Sequence, residues 1–136
     1  MRIIALRGGD SCGKTATINL VYDRLLLPIN GGTSTGKRKV GGDIRDFEDI
    51  VNYKGQTVAF YSMGDLAYAT IGAINKFDKL GIDVLIIASN TKFVRPIQLI
   101  MTFAHNLVVK KLAVPSNPTN DLAANTLDAN TIFGLI

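Results

Sequence analysis

Residues 1–27 read MRIIALRGGDSCGKTATINLVYDRLLL, and the order of apolar, glycine and periodic segments in them sets the architecture. Ile3-Ile4-Ala5-Leu6 is a short apolar run, the composition of a buried strand. Arg7-Gly8-Gly9 interrupts it at once. Beyond the glycines, Ile18, Val21, Tyr22 and Leu25 recur at the spacing of one helix face. Pro28 is a natural stop for that helix. Strand, glycine loop and helix therefore follow one another without a connector, the opening of an α/β unit.

Reading outward, the regular pattern is lost from Asn30 to Gly42, where glycines mix with Thr33, Ser34, Thr35 and the basic run Lys37-Arg38-Lys39. The expectation is a flexible loop, either bland surface or ordered by a ligand. Phe47–Tyr53 and Gln56–Tyr61, separated by Lys54-Gly55, predict an antiparallel hairpin. A helix is expected from Asp65 to Leu80, ended by Gly81. The continuous apolar run within Ile82–Ala88 suits a central parallel strand. Pro96 predicts the start of a helix reaching Asn106. Leu107–Val114 reads as another strand, closed by Pro115, and Asn120–Phe133 as a last helix. The alternation implies an α/β fold with a mostly parallel sheet, one antiparallel edge hairpin and a single domain over residues 1–136.

Composition narrows the function classes. A chain of 136 residues, 47% hydrophobic, has enough apolar material for one core. With only 19% charged residues, some apolar surface is left for self-association, so a homo-oligomer is compatible. The net charge of +4 suits polyphosphate ligands. Its basic residues are scattered, and no nucleic-acid reading motif is present, which argues against nucleic acid as partner. Cys12 is the only cysteine, excluding an intrachain disulfide. The apolar start is too short for a signal peptide and no stretch is long enough to span a bilayer, so a cytoplasmic protein without membrane partners is expected.

Gly8-Gly9-Asp10-Ser11-Cys12-Gly13-Lys14-Thr15 fits the pattern G-x-x-x-x-G-K-S/T at every defined position. Glycines let the backbone turn tightly and bring its N–H groups against phosphate oxygens. Those groups and the N-terminus of the next helix, through Ala16, make an anion cradle. Lys14 would reach the β- and γ-phosphates and the Thr15 hydroxyl would hold Mg²⁺. On these eight residues and on its order of elements, the chain resembles the P-loop NTPase superfamily. The resemblance implies a P-loop three-layer sandwich, ATP or another nucleoside triphosphate with Mg²⁺ as ligands, and a site at the carboxyl ends of the parallel strands.

Other candidates follow from position. The acid that normally ends an apolar strand on the metal side is displaced here: Ser62 follows Val58-Ala59-Phe60-Tyr61, and the nearest acid is Asp65. Asp65 is expected as a water-mediated Mg²⁺ partner or catalytic base, against a bland role as helix N-cap. Asp43, Asp46 and Glu48 are the fallback acids. Ser89-Asn90-Thr91-Lys92 ends another strand and could touch a nucleotide, but the guanine-reading N-K-x-D is absent, which favours ATP over GTP. The loop Pro115-Ser116-Asn117-Pro118 is expected to contact the base through Asn117. Arg95 is a candidate for neutralising transition-state charge, and Arg7 a weaker one. His105, near a helix end, reads as a surface or capping residue, and Cys12 as filler. Three activities fit: hydrolysis of a nucleoside triphosphate; a kinase acting on a small-molecule or nucleotide acceptor; and non-enzymatic nucleotide binding in an interaction protein.

Overall fold

The computed structural model describes all residues 1–136. The elements in chain order are β1 (Arg2–Gly8), α1 (Lys14–Leu26), β2 (Thr33–Ser34), β3 (Arg38–Lys39), β4 (Phe47–Tyr53), β5 (Gln56–Tyr61), α2 (Ala67–Lys79), β6 (Val84–Asn90), α3 (Val94–Ile100), β7 (Ala104–Val109) and α4 (Pro118–Leu135). All strands join one sheet in the order β2-β4-β5-β6-β1-β7, with β3 also on β4. No helix is long and apolar enough to cross a membrane.

The sheet is mixed, which corrects the expectation of a mostly parallel one. Strands β5, β6, β1 and β7 run parallel, whereas β4 pairs antiparallel with β5 and also with β2 and β3. The difference arises in the segment expected to be a flexible loop. Thr33 and Ser34 pair with Asn52 and Val51, and Arg38 and Lys39 with Glu48 and Phe47. A buried carboxylate holds this segment. Asp49 accepts from Gly36 N at 3.0 Å, from Tyr22 Oη at 2.8 Å and from Ser34 Oγ. Burial, with the neighbouring Asp49 charge, pushes the Tyr22 phenol above its ordinary value.

Alternation along the strands divides the core in two. Ile4 and Leu6 of β1 and Val84 and Ile86 of β6 pack with Ile18, Val21 and Leu25 of α1 and Ile132 of α4. Ile3, Ala5, Leu85 and Ile87 pack instead with Ile74 and Phe77 of α2 and Ile100 of α3. The β6 run is buried from Val84 to Asn90, as a strand covered on both faces must be. Two boundaries differ from expectation. The third helix ends at Ile100 rather than Asn106, so His105 lies in β7, and β7 ends at Val109 before Lys110-Lys111.

Candidate functional site

The glycine loop follows β1 at the carboxyl edge of the parallel strands and feeds directly into α1. Ser11 (φ 51°) and Gly13 (φ 94°) are left-handed, and a Cβ on Gly13 would lie 2.6 Å from Asn125 Oδ1 of α4. The left-handed backbone is what favours glycine at 13, and any side chain there would in addition have to displace the amide tip of Asn125. Helix α1 starts with no side-chain cap and no acid in its first turn, and its first residue is a lysine. A cation at a helix N-terminus is unfavourable unless an anion joins it. None of the N–H groups from Gly9 to Ala16 donates to a protein acceptor. Lys14 is buried, and its Nζ donates to Gly8 O at 3.1 Å and to Gly9 O.

Around this loop lies a cavity of about 880 Å³, within the size range of ligand pockets (about 300–1,000 Å³). Its walls come from the glycine loop, Asp43–Asp46, the Ser62–Asp65 turn, the segment after β7 and the first turns of α4. The hairpin explains two of these. Glu48 pairs with Tyr61, so the start of β4 and the end of β5 share one edge of the sheet.

Asp46 is the carboxylate that touches the loop. Its Oδ1 accepts from Thr15 Oγ1 and from Ser62 Oγ, each at 2.9 Å, and the residue is only 3% exposed. Ser62 Oγ also accepts from Phe47 N at 2.9 Å, so the hydroxyl after β5 fixes both acid and strand. Asn19 Nδ2 bridges Thr15 O and Arg45 O, docking the acidic segment on α1. Asp65 lines the cavity, is exposed and has no side-chain partner; the N-cap of α2 is Leu66, so the bland capping role does not apply.

The remaining candidates separate. Asn90 does not face the cavity freely. Its Nδ2 donates to Asp10 Oδ1 at 2.6 Å and Lys92 Nζ approaches the same carboxylate at 3.2 Å. Hydrogen bonds from Lys92 and then Asn90 hold Asp10 below its usual carboxylate range. Arg95 is exposed on α3, outside the cavity lining, whereas Arg45 is part of that lining. Arg45 donates to Asp43 Oδ2 at 2.9 Å, and this pairing draws Asp43 down to about 2. Lys37 does not reach the cavity: its Nζ sits 4.8 Å from the Tyr22 ring and 4.6 Å from the Phe47 ring. Asn117 caps α4, accepting from Asn120 N at 2.8 Å, and is not in the lining; Lys111–Val114, Ser116, Asp121 and Asn125 are.

Sequence reasoning missed Asp128. Wholly buried in α4, it accepts from Lys111 N at 2.7 Å, Lys111 Nζ at 3.0 Å and Lys110 Nζ at 3.1 Å. Burial alone would raise its pKa, but the bonds from Lys111 and Lys110 outweigh it and hold the carboxyl below the ordinary range. The segment that closes the far end of the cavity is thereby pinned to α4. No group of three or more His, Cys, Asp or Glu gathers to hold a metal by protein ligands alone. No family model, curated protein or solved structure matches the chain.

Proposed function

We propose that this chain binds a nucleoside triphosphate with Mg²⁺ in the cavity around the glycine loop and hydrolyses it, with ATP favoured over GTP. The observation that carries the reading is the run of N–H groups from Gly9 to Ala16 without protein acceptors, beside a buried lysine at the start of α1. Such a cradle offers a polyphosphate both positive charge and hydrogen-bond donors. On this reading the fold is a single-domain P-loop three-layer sandwich whose parallel half carries the site.

Lys14 exchanges the carbonyls of Gly8 and Gly9 for phosphate oxygens. Thr15 and Asp46 are the residues that would hold Mg²⁺: both present oxygen, the hard donor this ion takes, and one or two side chains suffice when phosphates complete the shell. The ion, when bound, supplies charge neutralisation on the phosphates. Asp65, with no other partner, orients the attacking water, and Arg45 is the guanidinium placed to meet developing charge. The sugar and base lie toward Lys111–Ser116 and Asp121.

Incubation with MgATP, alone and with a panel of metabolites, tests the reading, with Lys14→Ala as control. Free phosphate released by the parent and not by the variant supports hydrolysis. A phosphorylated acceptor would replace it with the kinase reading, and tight binding with unchanged ATP with the interaction-protein reading. Absence of binding to either MgATP or MgGTP at millimolar concentration in calorimetry would remove nucleotide from the account.

A further inference from the structure

Arg7 is a cation without an answer in its own chain. It lies in β1, flanked by β6 and β7, and its side chain alternates with Ile4 and Leu6 so that it faces the α2–α3 side of the sheet with Ile3 and Ala5. That is the face away from α1. Its Nε is shielded from solvent and has no hydrogen-bond partner, and Ser89 Oγ, shielded in the same way, has none either. Ser89 is 1% exposed and is the register partner of Arg7 on β6. Arg7 as a whole is half-buried and only its Nε is shielded, so what calls for a physical explanation is the pair of shielded, unpartnered groups, Arg7 Nε and Ser89 Oγ, beside a guanidinium with no carboxylate of its own.

The other neighbour of Arg7 suggests one. Its register partner on β7 is Val109, 70% exposed, and two residues earlier Leu107, paired with Ala5, is 40% exposed. Partnered residues of parallel strands project to the same face, so Ser89, Arg7 and Val109 form a row ending at an open edge. β7 is the last strand of the sheet, with its outer backbone groups unpaired. Unpaired edge, apolar face and a guanidinium with no carboxylate partner thus occupy one corner.

We propose that this corner docks an extended segment of another protein, added as a strand beside β7, whose carboxylate reaches Arg7 while its apolar side chains cover Leu107 and Val109. The added strand would stand two strand spacings from β1, about 9.6 Å, a span that an arginine and a glutamate bridge together over Val109. A second copy of this chain does not fit. β7 itself reads AHNLVV, and the strands at the opposite edge of the sheet, β2 and β3, read TS and RK, so no free-edge strand brings an acid. A free anion would answer Arg7 and leave the apolar edge uncovered. Strand addition answers both.

The test uses capped seven-residue peptides alternating valine and threonine around a central glutamate, the same peptides with glutamine, and acetate, followed by NMR on the full chain. The glutamate peptide should shift and protect the amides of residues 104–109 and move the Arg7 Nε–H signal. The glutamine peptide should bind at least tenfold more weakly. Arg7→Met should erase that difference with no loss of melting temperature, since the charge it removes is unpaired, and Val109→Lys should block both peptides. Equal binding of the two peptides, or none at millimolar concentration, would overturn the proposal. So would acetate alone reproducing the Arg7 shift with the same affinity, a β7-mediated dimer that Val109→Lys dissolves, or marked destabilisation by Arg7→Met.

Discussion

Replacing Asp46 by asparagine separates charge from shape at the site. The amide keeps an oxygen where Oδ1 accepts from Thr15 and Ser62, so both hydroxyls retain an acceptor. Bonds to a charged acceptor contribute about 1.5–3 kcal/mol and bonds to a neutral one about 0.5–1.5 kcal/mol. Two such bonds weaken by about 2 kcal/mol in total, which corresponds to a melting temperature lower by about 8 °C. The binding effect should change sign with the metal. In EDTA, removal of a negative charge beside the triphosphate relieves repulsion of the order of 1 kcal/mol, so affinity should rise about fivefold. With Mg²⁺ present, loss of a metal-side carboxylate should lower affinity by about tenfold or more, a cost near 1.4 kcal/mol. Titration of a fluorescent ATP analogue with and without Mg²⁺ reads both numbers on one preparation. A folded variant with unchanged Mg²⁺ dependence would refute the assignment of Asp46 to the metal and return the role to Asp65.

Asp65→Asn should lower turnover by more than about tenfold while nucleotide affinity and melting temperature hold, because the side chain is exposed and bonds to nothing; steady-state phosphate release beside calorimetry decides it. Gly13→Ala should cost about 1–2 kcal/mol for the left-handed backbone and more for the approach to Asn125, whereas Gly9→Ala, with nothing within 4 Å of its Cβ, should be as stable as the parent in urea. Asp128→Asn should be less stable than the parent at neutral pH. Because the folded carboxyl is held below its ordinary 3.8, that advantage is complete above the unfolded value and disappears as pH falls through the folded one. Unfolding curves of the two proteins should therefore converge in acid, and a gap that stays constant from neutral pH down to about pH 2, well past the unfolded carboxyl's titration, would contradict the paired, ionised state of Asp128.

Local signals carried much of the architecture. The glycine loop, the hairpin at Lys54-Gly55 and the apolar run of β6 stand where periodicity and turn residues put them, because each is decided by neighbours along the chain. The hairpin also held a clue to the site. Pairing Tyr53 with Gln56 carries the register back until residue 46 stands beside the end of β5, so Asp46 was legible to a reader who followed it. The β2–β3 segment was not. Its glycines and hydroxyls look like a loop, and what orders it is Asp49, whose bonds run to Tyr22, Ser34 and Gly36.

The order strand, glycine loop, helix over the first 26 residues and the hairpin at Lys54-Gly55 were settled locally, since glycine freedom and apolar periodicity act between neighbours along the chain. Which charges face the cavity was settled by packing between distant segments. Arg45 lines it and Arg95 does not; Asp10 is spent on Asn90 and Lys92; Lys111 is held by an aspartate 17 residues away. Arg7, next to the loop in sequence, points to the opposite side of the sheet because adjacent side chains of a strand alternate. The charge of a residue is written in its chemistry, but its partner is chosen by packing between segments far apart in the chain.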